Sequence, residues 1–119
     1  MIYSFEKLRV WKNARDFTVA IYKTTSNFPS SEKFGLVSQL RRASVSIASN
    51  IAEGSSRNSK KDQNRFYMIA FSSSVEVLNQ LIISRELDFI DDEVYQSLRS
   101  ELEHITAMLN RLHTPREKR

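Results

Sequence analysis

The sequence predicts an all-α fold, an antiparallel up-down-up-down four-helix bundle, and three observations carry that expectation. Apolar residues recur at helical spacing in four successive segments. The chain holds two glycines and two prolines, Gly35, Gly54, Pro29 and Pro115, each standing where a helix is expected to begin or end. The links between segments are short, which makes consecutive helices fold back on one another. The helices are expected at about residues 7–27, 33–54, 60–87 and 91–113 of one domain covering 1–119, with a frayed tail over 114–119.

In the first segment Val10, Ala14, Phe17 and Ile21 step 4-3-4, flanked by Trp11 and Thr18. That spacing is one apolar face of a helix. Arg9, Lys12 and Lys23 fall on the opposite side, with Asp16 among them. Pro29 disfavours helical geometry at the residue before it and ends the segment.

The second helix carries Leu36, Leu40, Ala43, Ile47 and Ile51 as its main stripe, with Val37, Ser44 and Ala48 beside it and Val45 and Ala52 beyond. Apolar or small residues cover more than half of this helix, whereas one core needs a stripe of roughly 100°. The excess predicts a second burial surface against another subunit, at Val45, Ala48 and Ala52. On the other flank Arg42, Ser46, Asn50, Glu53 and Arg57 form a polar stripe that borders the core. Gly54 reads as a left-handed C-terminal cap.

The third helix starts well, because Ser59 can cap and Asp62 follows three residues later. Lys60 and Lys61 then stand in the first turn, where the helix dipole disfavours cations, and an anion is expected to offset them. Apolar residues mark three faces, Phe66, Ala70, Val77 and Leu81, then Tyr67, Phe71, Leu78 and Ile82, then Ile69 and Ile83. A helix apolar nearly all round is a buried helix. Glu76 lies between Ile69 and Ile83, and a buried carboxylate there calls for Arg41 or Arg42 as its partner. Arg41, Arg42, Ser46, Asn50, Glu53 and Glu76 are therefore expected to form a structural polar network that sets register and subunit pairing.

The fourth helix has Asp91 as N-cap, with Asp92 and Glu93 in its first turn. Val94, Leu98, Leu102, Ile105, Leu109 and Leu112 step 4-4-3-4-3 to a stop at Pro115.

Composition narrows the function. With 40% hydrophobic and 27% charged residues the chain has a globular composition. It has no cysteine, which removes disulfides, thiolate nucleophiles and zinc–thiolate sites. The start lacks a signal-peptide pattern, and no run reaches the ~18 consecutive apolar residues of a spanning helix, so the cytoplasm is the expected location without membrane contact. His104 and His113 are nine residues apart on one helix, and Glu101 with His104 is an unrepeated Glu-x-x-His spacing. No metal pair, no serine triad and no glycine-rich phosphate loop follows, so neither an enzyme nor a cofactor is expected.

The net charge of +4 is unevenly spread. Residues 1–67 hold 12 Lys and Arg against 5 Asp and Glu, while residues 68–113 hold 3 against 8. A basic half suits nucleic acid or another acidic partner, or complements the acidic half. Arg57, Lys60, Lys61 and Arg65 cluster around one turn, and Arg9, Lys12 and Lys23 line the first helix. These seven are the expected phosphate contacts, and binding through them is expected to weaken with salt.

Several stretches resemble a known family: FEKLRVW and IYKTTSNFP near the start, QLRRASVSI with SNIAEG in the second helix, and FYMIAFSSSVEVLNQL in the third. Over residues 5 to about 112 the chain is similar to the four-helix-bundle proteins whose first-named members are encoded in intervening sequences of bacterial 23S ribosomal RNA genes. The resemblance implies a left-handed up-down bundle assembled as a ring-like homopentamer. Related accessory proteins of diversity-generating retroelements are basic and bind nucleic acid and a reverse transcriptase. The chain departs from the family where a proline is common and Ala48 stands, and where glycines are common and Ser72 and Asp88 stand. The expected function is a non-enzymatic oligomeric bundle that binds nucleic acid, RNA favoured, through repeated basic patches. The alternative is a protein-interaction scaffold that docks an acidic partner, such as a reverse transcriptase, without touching nucleic acid.

Overall fold

The chain begins with a single 3-10 turn, Ser4–Lys7, and straightens at Leu8 before α1, Arg9–Thr25, starts. In the computed structural model, which describes residues 1–113, α2 spans Leu36–Ser55, α3 Lys60–Glu86 and α4 Asp92–Leu112. No strand occurs among the described residues. α1 packs against α2, α2 against α3, α3 against α4, and α4 back against α1, so four helices enclose one core. The tail expected to fray, 114–119, lies outside the described residues.

The core is built from the periodic stripes. Ala14, Phe17 and Ile21 of α1, Leu40, Ile47 and Ile51 of α2, Ala70, Val77 and Leu81 of α3, and Leu102, Ile105 and Leu109 of α4 are each at most 2% exposed. Burying the valine, leucine, isoleucine and phenylalanine side chains among them contributes about 1.5–3 kcal/mol each before conformational entropy is set against it.

The ends of the helices differ from the expected ones for local reasons. α1 is shorter than 7–27 because the backbone at Leu8 is extended, with φ −76° and ψ 126°. At its other end the Ser26 hydroxyl donates to the Tyr22 carbonyl at 2.9 Å, in competition with the helix ladder. α2 starts at Leu36 and not at 33, since Gly35 sits at φ −109°, ψ −113°. The Glu32 carboxylate then accepts from the Leu36 amide at 3.1 Å, doing the work of an N-cap. Ser59 accepts from the Asp62 amide at 3.1 Å and Asp91 from the Val94 amide at 2.8 Å, so α3 and α4 begin at side-chain caps.

Gly54 is not a left-handed cap. It lies inside α2, and no described glycine has a positive φ. A Cβ on Gly54 would stand 2.6 Å from Tyr67 Cε1 and 2.9 Å from Cδ1. The glycine is there for the close approach of α3. Among the described residues the left-handed one is Asp88, at φ 61°. The Asp88 amide donates to the Arg85 carbonyl and the Phe89 amide to the Ser84 carbonyl, both at 2.9 Å. That bond pair is a Schellman closure of α3.

Nor is α3 buried all round. It is long and apolar enough to cross a membrane by length and composition, with an 18-residue window of mean hydropathy 1.4. Its inward side nevertheless carries Ser73, Ser74, Gln80 and Ser84, all buried. Ser74 and Ser84 donate back to the carbonyls of Ala70 and Gln80, at 3.0 and 2.8 Å, so their hydroxyls are satisfied within the helix. Its outward side carries Met68, Ile69, Val75 and Ile83, all at least 40% exposed.

Candidate nucleic-acid interface

The basic turn between α2 and α3 is held together mostly by its own carboxylates. Arg57 donates to Glu53 at 3.0 Å, stands 3.9 Å from Asp62, and lies over the Phe66 ring at 4.5 Å. Arg65 reaches Asp62 at 3.4 Å and Phe66 at 5.1 Å. Glu53 is thus a second counter-charge beside Asp62. The i, i+4 spacing of Glu53 and Arg57 was the available sequence signal for it. The stacking on Phe66 had no such signal, because it depends on how α2 and α3 meet.

Lys60 is exposed but already engaged by another helix. Its ammonium donates to the Leu112 carbonyl at 3.0 Å, at the C-terminal end of α4 where the helix dipole favours a cation. The anionic partner expected for α3's first turn is, for this lysine, a helix end of the same chain. Lys61 remains exposed, with no partner among the described residues, and with Ser59, Asp62 and Arg65 it borders an open hollow of about 550 Å³. Four cations and two carboxylates leave this turn at +2. The pairs here join partly exposed groups, and such pairs contribute about 0–1 kcal/mol. Asp62 therefore holds Arg65 only weakly.

Arg9 and Lys12 open α1, while Lys23 stands in its last turn. All three are exposed. The start of the chain lies against the end of α2, since Tyr3, Ser4 and Phe5 share a hollow with Ala52, Glu53 and Ser56. Arg9 and Lys12 therefore lie toward the end of the molecule that holds Arg57–Arg65. Lys23 is separated from Lys12 by about 16 Å of helix. It stands in the turn of α1 that Arg41 contacts, through the Tyr22 carbonyl at 3.2 Å and the Thr25 hydroxyl at 2.9 Å.

The expected polar network does not form within one chain. Glu76 is exposed, and its carboxylate accepts from Gln80 at 3.3 Å, not from an arginine. Arg41 is drawn to α1 and stacks on Tyr22 at 4.5 Å. Arg42 is exposed, with no partner among the described residues. Ser46 and Asn50 do act at the α2–α3 border: Ser46 shares a 2.9 Å hydrogen bond with Ser73, and Asn50 donates to Ser46 at 3.1 Å. Glu53 belongs to Arg57. The helical projection placed Glu76 on the third apolar face of α3, but that face is the one turned outward.

Val45, Ala48 and Ala52 line a hollow of about 390 Å³ between α1 and α2, with Phe5, Trp11, Val19 and Arg15. Part of the excess apolar surface of α2 is thus covered by the first residues of its own chain. Val45 stays 41% exposed. Between α1 and α4, Asp16, Glu101 and His104 border a smaller hollow of about 200 Å³. Among the described residues no group of three His, Cys, Asp or Glu could hold a metal ion.

The match that decides the family runs over residues 6–111, against the model described as 23S rRNA-intervening sequence protein. The chain belongs to the 23S rRNA-intervening sequence protein family. A similar solved structure is that of a protein of unknown function from the S23 ribosomal protein family of Bacteroides thetaiotaomicron, determined at 1.70 Å. It is 25% identical, the match covers 89% of this chain and 99% of that one, and the TM-score is 0.80. No curated protein matches the chain. Within this 23S rRNA-intervening sequence protein, Asp88 holds a left-handed backbone that glycine adopts without steric cost.

Proposed function

We propose that this chain acts without catalysis, as a self-associating bundle in the cytoplasm that binds nucleic acid, RNA favoured, through repeated basic ends. Its helices run up-down-up-down, a reading supported by the contact of Lys60 at the start of α3 with Leu112 at the end of α4. The observation that carries the binding reading is Lys61 and Arg65 around an open hollow, beside Arg57 and toward Arg9 and Lys12. One such end holds few cations and binds weakly. Several ends on one assembly gain avidity, and the family resemblance suggests a ring of five copies.

Filter binding of a labelled RNA across a salt series tests this. Affinity is expected to fall steeply between about 50 and about 200 mM salt, as counterion release requires. Lys61→Glu with Arg65→Glu should abolish retention. Binding that is absent at low salt, or that ignores salt, removes the reading. Nuclease treatment before affinity purification then separates it from the scaffold alternative, because a directly docked protein partner survives that treatment.

A further inference from the structure

The cations where α2 meets α3 are not equivalent. Lys60 is engaged by Leu112, and Arg57 donates to Glu53. Lys61 has no partner among the described residues and offers a charge alone. Arg65 differs again: Asp62 at 3.4 Å partly offsets its charge, while its guanidinium lies over the Phe66 ring at 5.1 Å. Arg57 lies over the same ring at 4.5 Å, with its Nε buried. Arg57 is the inner guanidinium, 38% exposed, and Arg65 the outer one, 68% exposed. The ring they share is held close to α2, because Phe66 Cβ stands 3.1 Å from where a Cβ on Gly54 would lie. The turn is pinned as well, since the Gln63 side-chain amide donates to the Arg57 carbonyl at 3.1 Å.

One turn further along α3 the surface changes character. Met68 and Ile69, three and four residues after Arg65, are 54% and 43% exposed. Lys61, Arg65, Met68 and Ile69 step 4-3-1 and share one face over about 12 Å of helix. Lys61 suits a phosphate, whereas two exposed apolar side chains give a phosphate nothing. Duplex RNA keeps its base faces stacked inside the helix and presents phosphates and 2′-hydroxyls. An unpaired base exposes an apolar π face, and a guanidinium plane takes such a face by stacking.

We propose that this end takes single-stranded RNA, with an unpaired base stacked on the Arg65 guanidinium, the adjoining phosphate on Lys61 and the next base against Met68. The inference rests on the RNA-binding reading above and adds the class of strand bound and the residue that selects it. Lys61 attracts by charge, which draws single strand and duplex alike. Arg65 selects by its plane, because stacking is open to the single strand alone.

The test uses the full chain and fluorescence anisotropy, with a labelled single-stranded RNA and a duplex RNA of the same length, each across a salt series. The single strand should bind about tenfold or more tightly than the duplex at equal salt. Arg65→Lys keeps the charge and loses the plane. It should lower single-strand affinity about tenfold, lower duplex affinity far less, and leave the salt slope of the single strand as it was. Lys61→Ala should weaken both ligands together and reduce the salt slope by about one. Phe66→Leu removes the ring beside Arg65 and should act as Arg65→Lys does; thermal melts verify its folding, and if it unfolds Arg65→Lys decides. A duplex that binds as tightly as the single strand overturns the inference. So does a single-strand preference that survives Arg65→Lys, or an Arg65→Lys that weakens both ligands equally. Each of these leaves RNA binding itself standing. A chain that binds neither RNA at low salt overturns both.

Discussion

Between α2 and α3 the facing groups are small. Gly54 lies against the ring of Tyr67, Ser46 bonds Ser73 at 2.9 Å, and Ala70 is fully buried. Between α1 and α4 they are larger, with Phe17 beside Ile105 and Ala20 beside Val94 and Leu98, and the fit leaves two open hollows of about 200 and about 460 Å³. The first contact brings helices close by leaving atoms out; the second holds them apart on bulky side chains. The α2–α3 seam should therefore be sensitive to added atoms, and the α1–α4 seam to removed ones.

The largest expected effect is at the α1–α4 seam. Phe17→Ala should lower stability by about 3–5 kcal/mol in urea denaturation, since Phe17 is 1% exposed and its removal opens a cavity. A loss under about 1 kcal/mol would mean the hollow beside it collapses freely. At the other seam, Gly54→Val should destabilise by about 2–3 kcal/mol, because the new side chain meets a Tyr67 ring that is itself buried. If that variant melts like the wild type, α2 and α3 are less tightly apposed than described.

Asp88→Gly acts outside both seams and should stabilise, by about 1 kcal/mol, since only glycine adopts a φ of 61° without steric strain. Unchanged melting would show that the aspartate has its own local compensation. Burial of Tyr67 raises its phenol above the ordinary value of 10.0. The neutral phenol's contribution is then complete below that ordinary value and is lost as pH rises through the raised native value, because the unfolded chain ionises first. Melting temperature should fall more steeply from about pH 9 to about pH 11 in the wild type than in Tyr67→Phe. The smallest effect is expected for Glu76→Ala. An exposed carboxylate bonded to Gln80 should change the stability of the isolated fold by no more than about 0.5 kcal/mol.

Much of the fold was legible one helix at a time. Val10 to Ile21, Leu40 to Ile51 and Leu98 to Leu109 face the core as their spacing predicted. Ser59 and Asp91 cap as their chemistry predicted. Such features depend on neighbours three or four residues away, and the chain order specifies those. The candidate site was legible as a cluster, Arg57 to Arg65, but not as an arrangement. That Lys60 is taken up by Leu112, 52 residues on, depends on which helix ends meet.

The same limit explains the misreadings. Gly54 looked like a cap because a glycine near a helix end usually is one; its reason lies in the Tyr67 ring of another helix. Glu76 looked buried because α3 is apolar on three faces, and periodicity cannot say which of three apolar faces turns outward. Sequence alone determined four helical segments, the Ser59 and Asp91 caps and the basic half, all local or compositional properties. Only the tertiary structure decided which apolar face of α3 is left exposed and which cations are left free, because both follow from which helices stand side by side.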